Sequence, residues 1–109
     1  MPSSRKERVA NIIKRELSKI ISKEFDFPEG LVTITFLSSD ENLNQAKVGV
    51  SVFPSEHGEL AIKELQKNEK FFYRKLLKSL RLRTIPKIFF ILDRGPESGA
   101  QVEKLLLNE

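Results

Sequence analysis

Lys67-Asn68-Glu69-Lys70-Phe71-Phe72-Tyr73-Arg74-Lys75-Leu76-Leu77-Lys78-Ser79-Leu80-Arg81-Leu82-Arg83, closed by Thr84-Ile85-Pro86, is the stretch on which the fold turns. It holds seven basic residues (Lys67, Lys70, Arg74, Lys75, Lys78, Arg81, Arg83) against the single acid Glu69, a local charge of +6 in a chain whose total is +4. At about 100° per residue, Phe72, Tyr73, Leu76, Leu77 and Leu80 fall within an arc of roughly 140°. Arg74, Lys78 and Arg81 recur at i, i+4, i+7 on the far side, flanked by Lys70 and Lys75. The pattern predicts a helix that buries one face and presents a row of cations on the other. A solvated helix back can carry such a row, but a face shaped only for solubility mixes both signs, and this one is nearly free of acids.

Upstream, Ala61, Leu65, Asn68 and Phe72 are spaced i, i+4, i+7, i+11, so another helix runs directly into this stretch. An asparagine on the inward face is costly within a helix, yet it tolerates the left-handed conformation that ends one. A break over Asn68 to Lys70 is therefore expected, dividing two helices. Pro54-Ser55-Glu56 opens the first of them, with Ser55 or a neighbour as its cap and Glu56 and Glu59 near its positive end.

Before that helix come two alternating runs. Leu31 to Leu37 places Val32, Ile34 and Phe36 on one face and Thr33 and Thr35 on the other. Ala46 to Phe53 places Ala46, Val48, Val50 and Val52 inward and Lys47, Gly49 and Ser51 outward. Two such strands joined by the polar Ser38–Asn44 segment predict a hairpin. At the N-terminus, Ser4-Arg5-Lys6-Glu7 has the form of a capping box, and Val9, Ile12, Ile13, Leu17, Ile20 and Ile21 predict a helix to about Lys23 or Glu24. Arg8, Arg15 and Lys19 lie together beside its apolar stripe. Asp26, Pro28 and Gly30 break the chain after it. Past Pro86, Lys87 to Asp93 reads as a strand apolar on both faces and so well covered. Arg94-Gly95-Pro96 then turns, and Ala100, Val102, Leu105 and Leu106 predict a short helix over 97–107.

The order is helix, strand, strand, helix, break, helix, strand, short helix. A helical crossover between the second and third strands makes those two parallel. The expected architecture is α+β: one domain over residues 1–109, frayed at 1–4 and 108–109, with a three-strand mixed sheet and helices on one face.

Charge is unevenly placed. Residues 1–23 sum to +5, the stretch above to +6, and everything else to −7. Two basic segments and an acidic remainder favour an anionic partner if the segments meet in space. The chain contains no cysteine, which excludes a disulfide framework and thiolate metal sites. It shows no apolar signal segment, and its longest aliphatic and aromatic run, Ile88–Leu92, is far too short for a bilayer. A cytoplasmic protein with no membrane association is expected.

Beyond periodicity, the chain resembles the bacterial ribosome-binding factor A family over nearly its whole length. The resemblance rests on an ordered set of pieces. These are Pro28 with Leu31-Val32-Thr33-Ile34-Thr35; Ser39-Asp40 leading to Ala46-Lys47-Val48 and Val50-Ser51; Leu80-Arg81-Leu82-Arg83-Thr84-Ile85-Pro86; then Phe90, Asp93, Gly99 and Leu105-Leu106. It implies a type II KH-like fold and a monomeric maturation factor. Such a factor binds the small ribosomal subunit, contacts its ribosomal RNA, and serves late processing and cold adaptation. Where the family carries an Ala-x-Gly kink between its central helices, this chain has Asn68-Glu69-Lys70, and the hairpin loop between Asp40 and Ala46 is about two residues longer.

RNA binding by cations needs no catalytic group, cofactor or metal. The candidate contacts are Arg74, Lys75, Lys78 and Arg81, with Lys67, Lys70 and Arg83 in the same stretch, and Arg8, Arg15 and Lys19 if the two basic helices lie side by side. Phe71 projects on the basic side and either stacks on a base or fills a helix junction. His57 lacks a second ligand at metal spacing and reads as a surface residue near a helix start. Two other classes stay open. A magnesium-dependent nuclease would use acids near Asp40, Glu41 and Asp93, although strand-end acids more often cap turns. A protein-binding adaptor would offer the basic face to an acidic partner.

Overall fold

The computed structural model describes residues 4–25 and 30–95. Helix α1 spans Arg5–Glu24, strands β1 and β2 span Leu31–Ser39 and Gln45–Phe53, and a 3-10 turn covers Ser55–His57. Helices α2 and α3 span Gly58–Lys67 and Glu69–Ser79, and β3 spans Lys87–Leu92. The sheet order is β1-β2-β3, with β1 and β2 antiparallel and β2 and β3 parallel across the α2–α3 crossover. The break expected at Asp26 and Pro28 and the helix expected over 97–107 lie outside the described residues.

Each element has a local cause. Ser4 caps α1, its hydroxyl accepting the Glu7 N–H at 3.1 Å. Val9, Ile13, Leu17, Ile20 and Ile21 are buried, as the stripe requires; Ile12, counted in that stripe, is 39% exposed and stands outside the core. Ala46, Val48, Val50 and Val52 face inward with Ile88 and Phe90 of β3, all buried. The hairpin turn is polar but for Leu43, which adopts φ 57° and buries its side chain. Asp40 organises that turn: its Oδ1 accepts the N–H groups of Asn44 at 2.7 Å and Gln45 at 3.3 Å.

Several expectations are corrected. In β1 the register shifts between Ile34 and Phe36, so Ile34 pairs with Val50 but Phe36 pairs with Gly49. Thr35 is the extra residue of a bulge, and the bulge reverses the alternation beyond it. Phe36 therefore leaves the core face, while Leu37 and Ser39 turn inward opposite Val48 and Ala46. Strand β3 is covered on one face alone: Phe89 is 37% exposed on the other. No side chain caps α2, whose N-cap position is His57 rather than Ser55.

The correction that matters most concerns α3. It ends at Ser79, and Leu80 is already extended at φ −111° and ψ 142°. Leu80 and Leu82 are half-buried against the core while Arg81 and Arg83 are exposed. Apolar and charged residues thus alternate with the period of extended backbone before Ile85 and Pro86, both buried, lead into β3. Leu77, assigned to the buried arc, is 49% exposed.

Candidate nucleic-acid interface

Helices α1 and α3 lie side by side. The Phe25 ring, just past α1, sits 6.4 Å from the Phe72 ring, and Lys75 Nζ reaches Glu24 Oε1 at 3.3 Å. Phe72 and Leu76 point α3 into the core, which leaves Lys70, Arg74 and Lys78 exposed on its back. On α1 the buried residues likewise leave Arg8, Arg15 and Lys19 exposed. Seven residues apart or fewer, the cations on each helix repeat at about the spacing of one to two turns.

The outer side of α1 extends this set. Asn11, Lys14, Arg15, Ser18, Lys19, Ser22 and Lys23 line a shallow depression of about 650 Å³. Lys14 and Lys23 lie outside the set expected from the sequence, yet Arg15, Lys19 and Lys23 recur at i, i+4, i+8, a ladder readable from spacing alone. Four cations with serine and asparagine side chains between them, and no carboxylate in the lining, form a surface able to hold anionic oxygens such as those of phosphate.

Other candidates sit differently. Lys67 closes α2 and pairs with Glu64 at 3.4 Å, and Lys75 pairs with Glu24; both are solvated pairs of the kind worth at most about 1 kcal/mol, which a phosphate can displace. Arg81 and Arg83 do not continue the helical row, since the helix has ended; they project from the extended segment that follows. Its Thr84 lines the same depression as Ser4 to Glu7 at the start of α1, which brings this segment back alongside the first basic helix. Phe71 packs edge-on against Phe72 at 5.4 Å and 73°, with Lys75 Nζ 5.7 Å above its ring. It is half-buried against the core, packed within α3 between Phe72 and Lys75.

The orientation of α3 is set at the break. Asn68 has φ −107° and ψ 17°, the sparsely occupied bridge region and not the left-handed one expected. Its own N–H shortens to Leu65 O at 3.0 Å, and its side-chain Nδ2 donates to Glu64 O at 2.7 Å, satisfying the carbonyl that the break would otherwise orphan. On either side, Gln66 Nε2 donates to Phe90 O at 3.1 Å and Glu69 Oε2 accepts the Phe90 N–H at 2.9 Å. Both outward backbone groups of one residue on the free edge of β3 are thereby closed by side chains flanking the kink.

Burial pushes the Glu69 carboxyl above its ordinary 4.5, and the hydrogen bond from Phe90 pulls it only partly back. The folded chain then binds that proton more tightly than the unfolded one, so the stability linked to it is fully present below about pH 4.5 and is lost as pH rises through the raised value. Glu69→Gln keeps an oxygen acceptor without a charge. Relative to the parent protein it is expected to gain stability as pH rises from 4.5 to neutrality, whereas Glu69→Ala loses about 1–2 kcal/mol by leaving the Phe90 N–H unpaired. Urea midpoints across that range read both, and a Gln variant with the parent's pH dependence would refute the assignment.

Of the three acids considered for a nuclease, two hold turns and the third, Glu41, pairs through Oε1 with Lys6 Nζ at 3.3 Å. Asp40 holds the hairpin, and Asp93 Oδ1 accepts the Gly95 N–H at 2.9 Å. By register they stand about six strand residues apart, roughly 20 Å, and no group of three or more His, Cys, Asp or Glu suited to a metal occurs among the described residues. No helix among them is long and apolar enough to cross a membrane.

Comparison with known proteins identifies relatives of this chain. The ribosome-binding factor A family pattern matches residues 5–106. Ribosome-binding factor A of Thermomicrobium roseum is 38% identical over 108 residues, spanning 97% of this chain and 84% of that relative. The crystal structure of ribosome-binding factor A from Thermus thermophilus superposes with a TM-score of 0.70 at 24% identity, over 80% of this chain and 93% of that one. A homology model of the Thermus thermophilus factor, fitted into a cryo-EM map of its complex with the 30S subunit, superposes with a TM-score of 0.70 at 24% identity, over 81% of this chain and 94% of that one. The two structural likenesses speak for the fold.

Proposed function

The chain belongs to the ribosome-binding factor A family, and from that premise we propose that it binds the small ribosomal subunit as a non-catalytic assembly factor acting late in maturation and ribosomal RNA processing. The observation that carries this reading is the family match over residues 5–106, together with a relative 38% identical across nearly the whole chain. The side-by-side basic helices supply a physical means. Arg8, Arg15 and Lys19 on α1 and Lys70, Arg74 and Lys78 on α3 meet ribosomal RNA phosphates, with Arg81 and Arg83 at one margin, and affinity comes from released counterions. Lys67 and Lys75 join by exchanging their carboxylate partners for phosphates.

The chemistry asked of this surface is positioning and charge neutralisation. Phosphate contacts of this kind fix register and orientation without reading sequence, so recognition depends on the shape of the RNA against the two helices. An acidic protein partner would meet the same cations, but it has no specific support beyond charge. In a sucrose gradient of tagged protein, enrichment with free small subunits over assembled ribosomes and polysomes is expected. Even distribution across the gradient, or enrichment with large subunits, would remove the reading.

A further inference from the structure

We propose that the outer face of the sheet is a second contact surface, which stacks the bases of single-stranded RNA; it rests on RNA being this chain's partner but not on the helical face. Three aromatic side chains belong to it. The bulge at Thr35 turns Phe36 out of the core, and the Phe36 ring lies across Gly49, where a Cβ would come 2.0 Å from its Cε1. Phe89 stands in register with Lys47, and Phe53, 75% exposed, lies at the end of β2 opposite Leu31, 67% exposed. Four residues separate Gly49 from Phe53, roughly 13 Å along the strand, so the rings can serve different bases.

A phenylalanine that alternation would send into the core is re-aimed to the solvent side, and a glycine in mid-strand clears room for its ring. Bulges commonly re-aim side chains beside binding sites, and an interior strand glycine marks a close approach. Charge selects the occupant. The three strands contain no Asp or Glu at all, although the chain has 15 acids, and of the two lysines on the outer face Lys87 is exposed while Lys47 keeps its ammonium buried. Exposed rings beside the Lys87 ammonium and threonine hydroxyls, on strands without carboxylates, match a polyanion whose bases stack. With cations also on the helices, the domain would be held between two RNA segments.

The test is fluorescence anisotropy of a fluorescein-labelled oligouridine decamer over a salt series. Phe53→Ala combined with Phe89→Ala is expected to weaken binding about 10-fold or more, and Phe36→Leu, which keeps apolar cover on Gly49, about 5-fold. The salt dependence stays that of the parent, because no phosphate contact is removed. Circular dichroism and urea midpoints verify that the variants fold. Failure of the parent protein to bind the decamer, or unchanged affinity in the folded double variant, overturns the proposal. If the parent still co-sediments with small subunits, the helical reading stands. Loss of a parent dimer in the double variant, with RNA affinity unchanged, also overturns it and assigns the face to a second copy of this chain.

Discussion

Arg74→Glu combined with Lys78→Glu is expected to abolish co-sedimentation with small subunits while leaving the fold intact. Both side chains are exposed on the back of α3, one turn apart, and the core-facing residues of that helix are Phe72 and Leu76. The double change converts a local +2 into −2 at the middle of the basic surface. Charged hydrogen bonds contribute about 1.5–3 kcal/mol each, so two lost contacts alone weaken binding by roughly 100-fold or more, and repulsion from phosphate adds to that. The slope of log affinity against log salt should flatten by about 0.7 per lost contact on single-stranded segments. Folding is affected little: an acid in the last turn opposes the helix dipole by about 0.3–1 kcal/mol. Binding near the parent level at physiological salt, with urea midpoints unchanged, would show that the RNA lies elsewhere.

Phe72→Ala is the substitution expected to damage the fold most. The side chain is 0% exposed, and its ring meets those of Phe25 at 6.4 Å, Phe71 at 5.4 Å and Phe90 at 5.3 Å. The end of α1, the start of α3 and the middle of β3 therefore converge on one residue. Truncating a buried phenylalanine costs about 3–5 kcal/mol, because the cavity left behind collapses only in part. Against a total of about 5–15 kcal/mol for a domain, that is a large share. It corresponds to a fall in melting temperature of about 12 °C or more. Thermal unfolding followed by circular dichroism measures it, and a fall below about 5 °C would contradict the central role given to this side chain. Small-subunit binding should be lost with the fold, in contrast to the charge reversal, where it is lost without it.

The two variants separate the two roles held in residues 67–83. Phe72 and Leu76 determine where α3 sits; Arg74 and Lys78 determine what it offers. The kink links them. Asn68 supplies the hydrogen bond that the break would leave unmade, and Gln66 and Glu69 fasten both ends of the break to Phe90 on the sheet edge. At the break this chain uses polar side chains, so the direction of the basic helix depends on three hydrogen bonds.

The sequence by itself determined the element order, the mixed sheet, the inward residues of β2, the capped start of α1 and the division of the central helices at Asn68. These follow from periods of two and 3.6 and from local caps, which neighbouring residues settle among themselves. It also determined that two segments carry the positive charge. The end of α3 was legible too, in the alternation Leu80-Arg81-Leu82-Arg83, but a helical reading fits the same leucines, and only packing chooses between them.

Other features belonged to the tertiary structure alone. Whether the two basic segments meet depends on α1 and α3 lying together, which Phe25, Phe72 and the Lys75–Glu24 pair decide across some fifty residues of chain. The bulge at Thr35 is invisible in β1, because the extra residue exists only relative to its partner strand; one shift of register carries Phe36 from core to surface. The partners of Glu69 and Gln66 lie on a strand more than twenty residues away. Periodicity reports how a segment faces its surroundings. Which surroundings it faces is fixed when the elements pack, and the site is made of those pairings.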